Sequence, residues 1–98
     1  MSRADLRKAT LNIANFSNAN LDNANLSDAN LESANFTEAF LKEGNFVRAN
    51  LNNANFTGAN LFGADLSQAN LTRIILKDAN LQRSKFGVLI YLKRICLA

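Results

Sequence analysis

Residues 24–38 read Ala-Asn-Leu-Ser-Asp-Ala-Asn-Leu-Glu-Ser-Ala-Asn-Phe-Thr-Glu, which is one five-residue unit written three times. The unit continues in both directions, so that seventeen positions spaced five apart, from Leu6 to Phe86, are all Leu or Phe. We number the unit so that Ala is position 1, Asn is position 2, Leu or Phe is position 3, and the variable residues are positions 4 and 5. This repeat covers most of the chain, and it decides the fold.

A period of five fits neither regular secondary structure. On an α-helix, with about 100° per residue, successive Leu residues would be rotated by about 140° and would form no apolar stripe. On a continuous strand an odd spacing sends them to opposite faces. The chain must therefore change direction once per repeat. We predict that positions 1 and 3 point inward from a short extended segment, that position 2 points outward, and that positions 4 and 5 make the bend.

The phenylalanines indicate how many repeats complete one coil. Phe16, Phe36 and Phe56 are twenty residues apart, so a coil of four repeats would stack their rings at the ladder spacing of about 4.8 Å. In the next coil Leu76 takes this place and Ile74 replaces the Ala two residues earlier, which conserves the packed volume. Seventeen repeats would then make slightly over four coils, a prism about 20 Å long.

With Ala two residues before the central Leu or Phe and Asn or Asp directly before it, residues 4–86 resemble the pentapeptide-repeat proteins. The resemblance implies an all-β fold, a right-handed quadrilateral β-helix with four repeats per coil. The departures from the motif are Thr10, Phe40, Ile75 and Lys85 at position 2, and Gly44, Ile74 and Ser84 at position 1. We predict one domain over residues 1–98, with the repeats at 4–86 and a short apolar C-terminal cap at 87–98. A fold of this kind does not bring a function with it.

The reactive side chains argue against an enzyme. The sequence has no His, its single cysteine is Cys96, and the inward positions are small or apolar, so we expect no cavity for a small-molecule substrate and no cofactor or metal. The outward carboxylates are interpreted as a solvated surface; they are Asp22, Asp28, Glu32 and Glu38. Outward Asn side chains are expected to hydrogen-bond along ladders; the columns are Asn15, Asn35 and Asn55, and Asn30, Asn50 and Asn70.

Composition suggests the cell compartment. The chain has 98 residues, 48% of them hydrophobic, which suits one small repeat domain with a continuous core. One cysteine allows no internal disulfide, and there is neither a leader pattern nor an apolar run of about 18 residues. We therefore expect a cytoplasmic protein that does not enter the membrane.

Charge is uneven along the chain and bears on possible partners. Residues 9–41 carry four acidic and no basic side chains, whereas residues 73–98 carry six basic side chains against Asp78. Some members of the family that this chain resembles are proposed to imitate duplex DNA at a type II topoisomerase such as gyrase, which calls for a long negative surface. The net charge of +3 and the short rod weigh against this role. Direct nucleic-acid binding is not favoured either, because the basic residues lack interleaved aromatic side chains.

Two groups of apolar residues are candidate contact surfaces. Phe40 and Phe62 are predicted to lie on one face, one coil apart, with Val47 around the next corner. The repeat begins at Ala4 without a cap, and it ends in an apolar tail that we interpret as a cap or a docking surface. The tail residues of interest are Leu89, Leu92 and Ile95.

These observations favour a rigid, non-enzymatic protein–protein interaction module. It would present a flat face or an uncapped end to a protein partner or to a second copy of itself. The alternative is a DNA-mimicking modulator of a type II topoisomerase. A third possibility is surface binding by the hydroxyl ladder of Ser17, Thr37 and Thr57.

Overall fold

The computed structural model describes residues 3–87, and these residues form a β-solenoid without a helix. Its strands are reduced to single-residue parallel bridges at position 2, which join each residue to the one twenty positions later, as in Asp5 to Asn25 and Asn35 to Asn55. A coil therefore contains four repeats: coil 1 is residues 4–23, coil 2 is 24–43, coil 3 is 44–63 and coil 4 is 64–83. The right-handed sense of the coil stays a prediction, and the expected cap at 87–98 lies outside the described residues except for Gly87.

A tight turn at positions 3 to 5 makes each corner. The N–H of the next position 1 donates to the position 3 carbonyl, as from Ala29 to Leu26 at 3.2 Å. Position 5 has a positive φ in every described repeat, from 55° at Arg73 to 70° at Gly58. Because position 4 of coils 1 to 4 keeps a negative φ, the corners are type II turns, which ordinarily favour Gly or Asn at this place. Here Lys, Glu, Arg and Ile also adopt the left-handed conformation.

Hydrogen bonds between coils use three of the five backbone N–H groups of a repeat. Leu26 donates to Asn45 at 2.7 Å and Asp28 donates to Val47 at 2.9 Å, both toward the following coil. Asn45 in turn donates to Ala24 in the preceding coil at 2.9 Å. The corner takes a fourth N–H, so only that of position 4 needs a side-chain acceptor.

The side chain of position 2 supplies that acceptor. Every described Asn or Asp at this position accepts from the N–H two residues later through Oδ1, as Asn25 does from Ser27 at 3.0 Å. The expected ladders of Asn side chains are largely absent from residues 3–87, where Asn50 to Asn30 at 3.4 Å is the ladder bond that forms. The prediction was wrong about the partner, because each Oδ1 lies closer to its own corner than to the next coil.

Four sides surround the packed axis, and we name them by their position 3 residues. Side 1 has Leu6, Leu26, Phe46, Leu66 and Phe86, and side 2 has Leu11, Leu31, Leu51 and Leu71. Side 3 has Phe16, Phe36, Phe56 and Leu76, and side 4 has Leu21, Leu41, Leu61 and Leu81. In coils 2 and 3 positions 1 and 3 are fully buried, which confirms the inward assignment.

Aromatic stacking fills the axis beside side 3. The ring centroids of Phe16 and Phe36 are 5.1 Å apart and those of Phe36 and Phe56 are 4.6 Å apart, with 12° between the planes in both pairs. Phe46 meets Phe36 and Phe56 edge-on at 5.9 and 5.7 Å. A Cβ on Gly44 would approach the Phe46 ring to 3.2 Å, so the missing methyl group at position 1 makes room for the larger side chain at position 3.

The end coils are packed less completely than the middle ones. Leu6, Leu11 and Phe16 are only partly buried, whereas Leu26, Leu31 and Phe36 in the same columns are 0% exposed. Leu81 and Phe86 are likewise partly buried at the other end. Each inner coil is covered by two neighbours, and an end coil has one among the described residues.

Candidate functional site

Phe40 interrupts the polar surface of side 4. It occupies position 2, where Asn20, Asn60 and Asn80 stand in the other coils of this side, and it bridges to Asn20 and Asn60. Its side chain is 51% exposed. Phe40 therefore adds little to the core, and it removes the acceptor that Asn would provide.

Asp22 supplies the acceptor that Phe40 lacks. The N–H of Lys42, which would donate to an Asn at residue 40, donates instead to Oδ1 of Asp22 at 3.0 Å. Asp22 lies one coil earlier on the same side, at position 4. Sequence reasoning missed this role of Asp22. The signal that could have revealed it is an acidic residue twenty positions before Lys42, whose N–H loses its usual acceptor when Phe40 replaces Asn.

Phe62 lies on the same side in coil 3, two residues after the Asn60 that bridges to Phe40. The Lys42 ammonium lies over the Phe62 ring, with Nζ 5.9 Å from the centroid. A cation at this distance from an aromatic face is attracted by the ring quadrupole.

Carboxylates border this aromatic pair at both corners of side 4. Glu38 and Glu43 are the position 5 residues before and after Phe40, and their counterparts in coil 3 are Gly58 and Gly63. A Cβ on either glycine would overlap the carboxylate of the glutamate one coil earlier. Both carboxylates thus extend along the axis over a glycine backbone, beside the Phe62 segment. We call this surface the Phe40 patch, and it consists of Asp22, Glu38, Phe40, Lys42, Glu43 and Phe62.

The other predicted contact residues lie elsewhere. Val47 is at position 4 of side 1, across the corner from Glu43, and it faces a different direction from Phe40 and Phe62. Ile13, at the corner after side 2, is 74% exposed and was not singled out from the sequence. The tail candidates Leu89, Leu92 and Ile95 lie outside the described residues.

Ion pairs occur on the corners and at the first coil. Arg48 forms a two-pronged contact with Asp28 in the preceding coil, Nε to Oδ1 at 2.9 Å and Nη2 to Oδ2 at 3.1 Å, and these hydrogen bonds hold the pKa of Asp28 below its usual range. Arg7 lowers the pKa of Asp5 to about 2 through equivalent hydrogen bonds. Such exposed pairs add little stability.

Residues 3–87 contain a concavity, but neither a metal-binding cluster nor a membrane-spanning helix. A concavity of about 390 Å³ beside the first coil is lined by Asp5, Arg7 and Lys8, and two of these side chains are already paired with each other. No group of three His, Cys, Asp or Glu side chains in the described range is arranged to hold a metal ion. No helix there is long and apolar enough to cross a membrane.

The register, the corners and the packed axis define a class of protein, a four-sided parallel β-solenoid built from five-residue units. The model of the pentapeptide repeats family matches residues 1–37, 29–68 and 54–87, with 8 copies of the repeat. The chain belongs to the pentapeptide repeat family.

Solved structures of this family are similar to the chain. HetL, a pentapeptide repeat protein involved in heterocyst differentiation regulation in the cyanobacterium Nostoc sp. strain PCC 7120, is 32% identical over 87% of this chain and 44% of HetL, with a TM-score of 0.73. Another pentapeptide repeat protein from Nostoc PCC 7120 is 30% identical over 98% of this chain and 86% of its own length, with a TM-score of 0.70.

A third solved structure of the family comes from a plant. A pentapeptide repeat protein of the Arabidopsis thaliana thylakoid lumen is 31% identical over 84% of this chain and 61% of its own, with a TM-score of 0.68. The chain thus spans about half the length of HetL and less than two thirds of the plant protein. No curated protein matches the sequence significantly.

Proposed function

We propose that this protein is a non-enzymatic repeat module that binds another protein, and that the partner docks on side 4 at the Phe40 patch. The observation that carries the proposal is Phe40 itself, half exposed where the other coils of this side have Asn. A single exposed apolar residue is ordinary. Phe40 differs because Asn would satisfy the backbone there, and a second residue, Asp22, accepts the N–H instead.

The rigid coil suits this role. In coils 2 and 3 every backbone N–H group is engaged between coils, at a corner, or by a side chain of position 2 or Asp22, so this surface needs little ordering when it binds. A preorganised surface loses less conformational entropy on association than a flexible one. Aromatic residues are also the side chains that contribute most at the centre of protein interfaces.

Capture from a lysate of the producing cells tests the proposal with matched variants. Phe40→Asn and Phe62→Gln introduce residues that the same columns already contain at Asn60 and Gln82, so the double variant should fold. Ile13→Asn removes an exposed apolar side chain on another corner and serves as the control. We expect a protein retained by the wild type and by the control to be lost by the double variant. Equal retention by all three would exclude the Phe40 patch.

For self-association we propose the coil ends, where apolar side chains of the first and last described coils are partly exposed. Both ends carry basic groups: Arg3, Arg7 and Lys8 at one, and Lys77, Arg83 and Lys85 at the other. Contact between ends would bring like charges together, so added salt should strengthen it.

Light scattering on the full chain and on a chain ending at Phe86 tests this proposal of association through the coil ends. We expect partial dimer in the first and an altered state or lower solubility in the second; a strictly monomeric full chain with an unchanged truncation would refute it.

The observed charges weigh against the alternative of DNA mimicry. Residues 9–72 carry six acidic and two basic side chains, but basic groups predominate at both ends of the described range. A mimic of duplex DNA needs one continuous negative surface. We expect supercoiling by a bacterial type II topoisomerase to be unchanged at micromolar protein, and inhibition competitive with DNA would restore the alternative.

We propose the cytoplasm as the location of the protein. The single Cys96 supports this, because proteins of oxidising compartments commonly use paired cysteines. Fractionation of the producing cells with an antibody to the protein tests it, and recovery from any other compartment would refute it.

A further inference from the structure

The Phe40 patch combines an exposed ring with an excess of negative charge. Asp22, Glu38 and Glu43 carry three carboxylates, and Lys42 is the only cation of the patch. An aromatic ring bordered by carboxylates attracts a cation through two interactions, the ring quadrupole and the negative charge of the carboxylates. The same carboxylates repel an acidic partner. They also disfavour a purely apolar partner, which would desolvate them without pairing them.

The glycines of coil 3 leave room for the carboxylates at the two edges of the Phe40 patch. Because Gly58 and Gly63 have no side chains, the carboxylates of Glu38 and Glu43 occupy the space that a Cβ would fill. They border the Phe62 segment at its two corners and do not point away from the solenoid. An incoming side chain on side 4 therefore meets a carboxylate at either edge.

Lys42 shows the patch engaging a cation from within the chain. Its Nζ lies 5.9 Å from the Phe62 centroid, whereas Phe40, which remains 51% exposed, is not part of a cation–π pair among residues 3–87. One ring of the patch is occupied by a cation and the other is open. The exposed Phe40 ring can therefore accept a cation from a partner.

We propose that the partner presents an arginine side chain that stacks on Phe40 and pairs with Glu38 or Glu43. This inference rests on the proposed function and names its chemistry: the partner is a protein with an arginine-bearing segment. Arginine fits better than lysine, because the planar guanidinium can stack on a ring and still form two parallel hydrogen bonds to a carboxylate.

Peptide titration followed by backbone amide NMR tests the proposal directly. The probes are four acetylated nonapeptides in which Gly alternates with Arg, Lys, Leu or Glu. We expect the Arg peptide to cause saturable shifts in the amides of residues 38–43 and 58–63, the Lys peptide to bind more weakly, and the Glu peptide to leave these amides unchanged. Added salt should weaken the binding of the Arg peptide. Arg and Leu peptides of equal affinity, or no shifts with Arg at millimolar concentration, would overturn the proposal.

Variants localise the contact. Phe40→Asn should reduce the affinity for the Arg peptide about tenfold, the size expected for a partly desolvated cation–π contact. Glu38→Gln with Glu43→Gln should remove most of the salt dependence. Glu32→Gln, which neutralises a carboxylate on side 2, is the matched control and should change nothing. Unchanged Arg binding by Phe40→Asn would refute the proposal.

The outcomes separate this inference from the proposed function. If the Leu peptide binds at least as tightly as the Arg peptide and is lost in Phe40→Asn, the arginine preference is wrong while protein binding at the patch stands. If no peptide binds but lysate capture still depends on Phe40, the arginine inference again fails alone. If neither peptide binding nor capture depends on Phe40, both proposals fail.

Discussion

Position 5 is where single residues carry backbone strain. Ile13 adopts φ 67° with its side chain 74% exposed, so packing offsets little of the cost that a β-branched residue has in the left-handed region. Asn18, Asn23 and Asn53 occupy the same turn position elsewhere, and Asn tolerates this conformation best among residues with a Cβ.

We therefore expect Ile13→Asn to stabilise the protein by about 1 kcal/mol. Urea denaturation of the two proteins under identical conditions measures this. Asn18→Ile provides the reverse test at the next corner of the same coil, where it should destabilise by a similar amount. A loss of stability in Ile13→Asn would mean that the isoleucine makes contacts that outweigh its strain.

The inward and outward assignment is tested by one charge placed on each surface. Leu31 is 0% exposed, so Leu31→Lys would bury an ammonium without a counter-ion and should cost about 4 kcal/mol or more, enough to prevent folding of a small domain. Asn52→Lys, at an outward position 4 on the same side, should change stability little. Circular dichroism and soluble yield report both, and equal stability of the two variants would contradict the assignment.

At the scale of one side of a coil, the sequence predicts more about the axis than about the surface. The alternation of positions 1 and 3 and the twenty-residue spacing of Phe16, Phe36 and Phe56 indicate the packed columns, because burial and ring stacking leave a regular trace. The edge-on contacts of Phe46 with Phe36 and Phe56 leave no such trace in the sequence, because they join residues of different columns. The space that Gly44 provides for Phe46 leaves none either. The sequence also does not reveal which hydrogen bond the Asn side chain forms. A ladder between coils and an acceptor for the N–H of position 4 both require Asn at position 2.

Side 4 predicts an energetic coupling between Asp22 and Phe40. Asp22→Ala leaves the Lys42 N–H without its 3.0 Å acceptor and should cost about 1 kcal/mol. In a Phe40→Asn background the same change should cost almost nothing, because the introduced asparagine can accept that N–H, as Asn60 accepts the one of Phe62. Asp22→Asn, which keeps an acceptor, is the control. A double-mutant cycle in urea measures the coupling, and additive effects would show that Asp22 does not compensate for Phe40.

At the scale of the whole molecule, charge makes stability depend on acidity. Ser67 donates to Asp65 through its hydroxyl at 2.6 Å and its N–H at 3.0 Å. These bonds, with help from the charge of Lys85, hold the pKa of Asp65 below 3.8. Since the folded pKa lies below the unfolded one, the stability due to the carboxylate is complete above the unfolded pKa and is lost as pH falls through the folded one.

The urea concentration at the unfolding midpoint should therefore decrease as the pH is lowered from about 5 to about 3. Asp65→Asn, which keeps an acceptor but cannot titrate, should show a smaller fall, and Asp65→Asn with Asp28→Asn a smaller one still, because Arg48 lowers the pKa of Asp28 in the same direction. Asp78→Asn is the control at a corner of the last coil. Identical falls in all four proteins would show that these carboxylates do not control acid sensitivity.

The candidate surface was predictable in part. Phe40 and Phe62 break an otherwise polar pattern, and the coil period puts them on one side. The rim was not predictable, because Glu38 and Glu43 acquire their direction from glycines twenty residues later. Those glycines look like ordinary turn residues in the sequence.

The strict register of n with n+20 governs how a gene for such a protein can change length. Removing one unit, for example residues 49–53, would leave the corners and the core pattern intact while turning everything after it by a quarter turn. Phe62 would then face side 3 and Phe40 would keep side 4, so the aromatic pair would be lost from side 4. Phe56 would likewise leave the stacked column of Phe16 and Phe36. Growth or shortening by whole coils preserves every column. Between the residues of a contact surface that spans two coils, length can therefore change only in steps of four repeats.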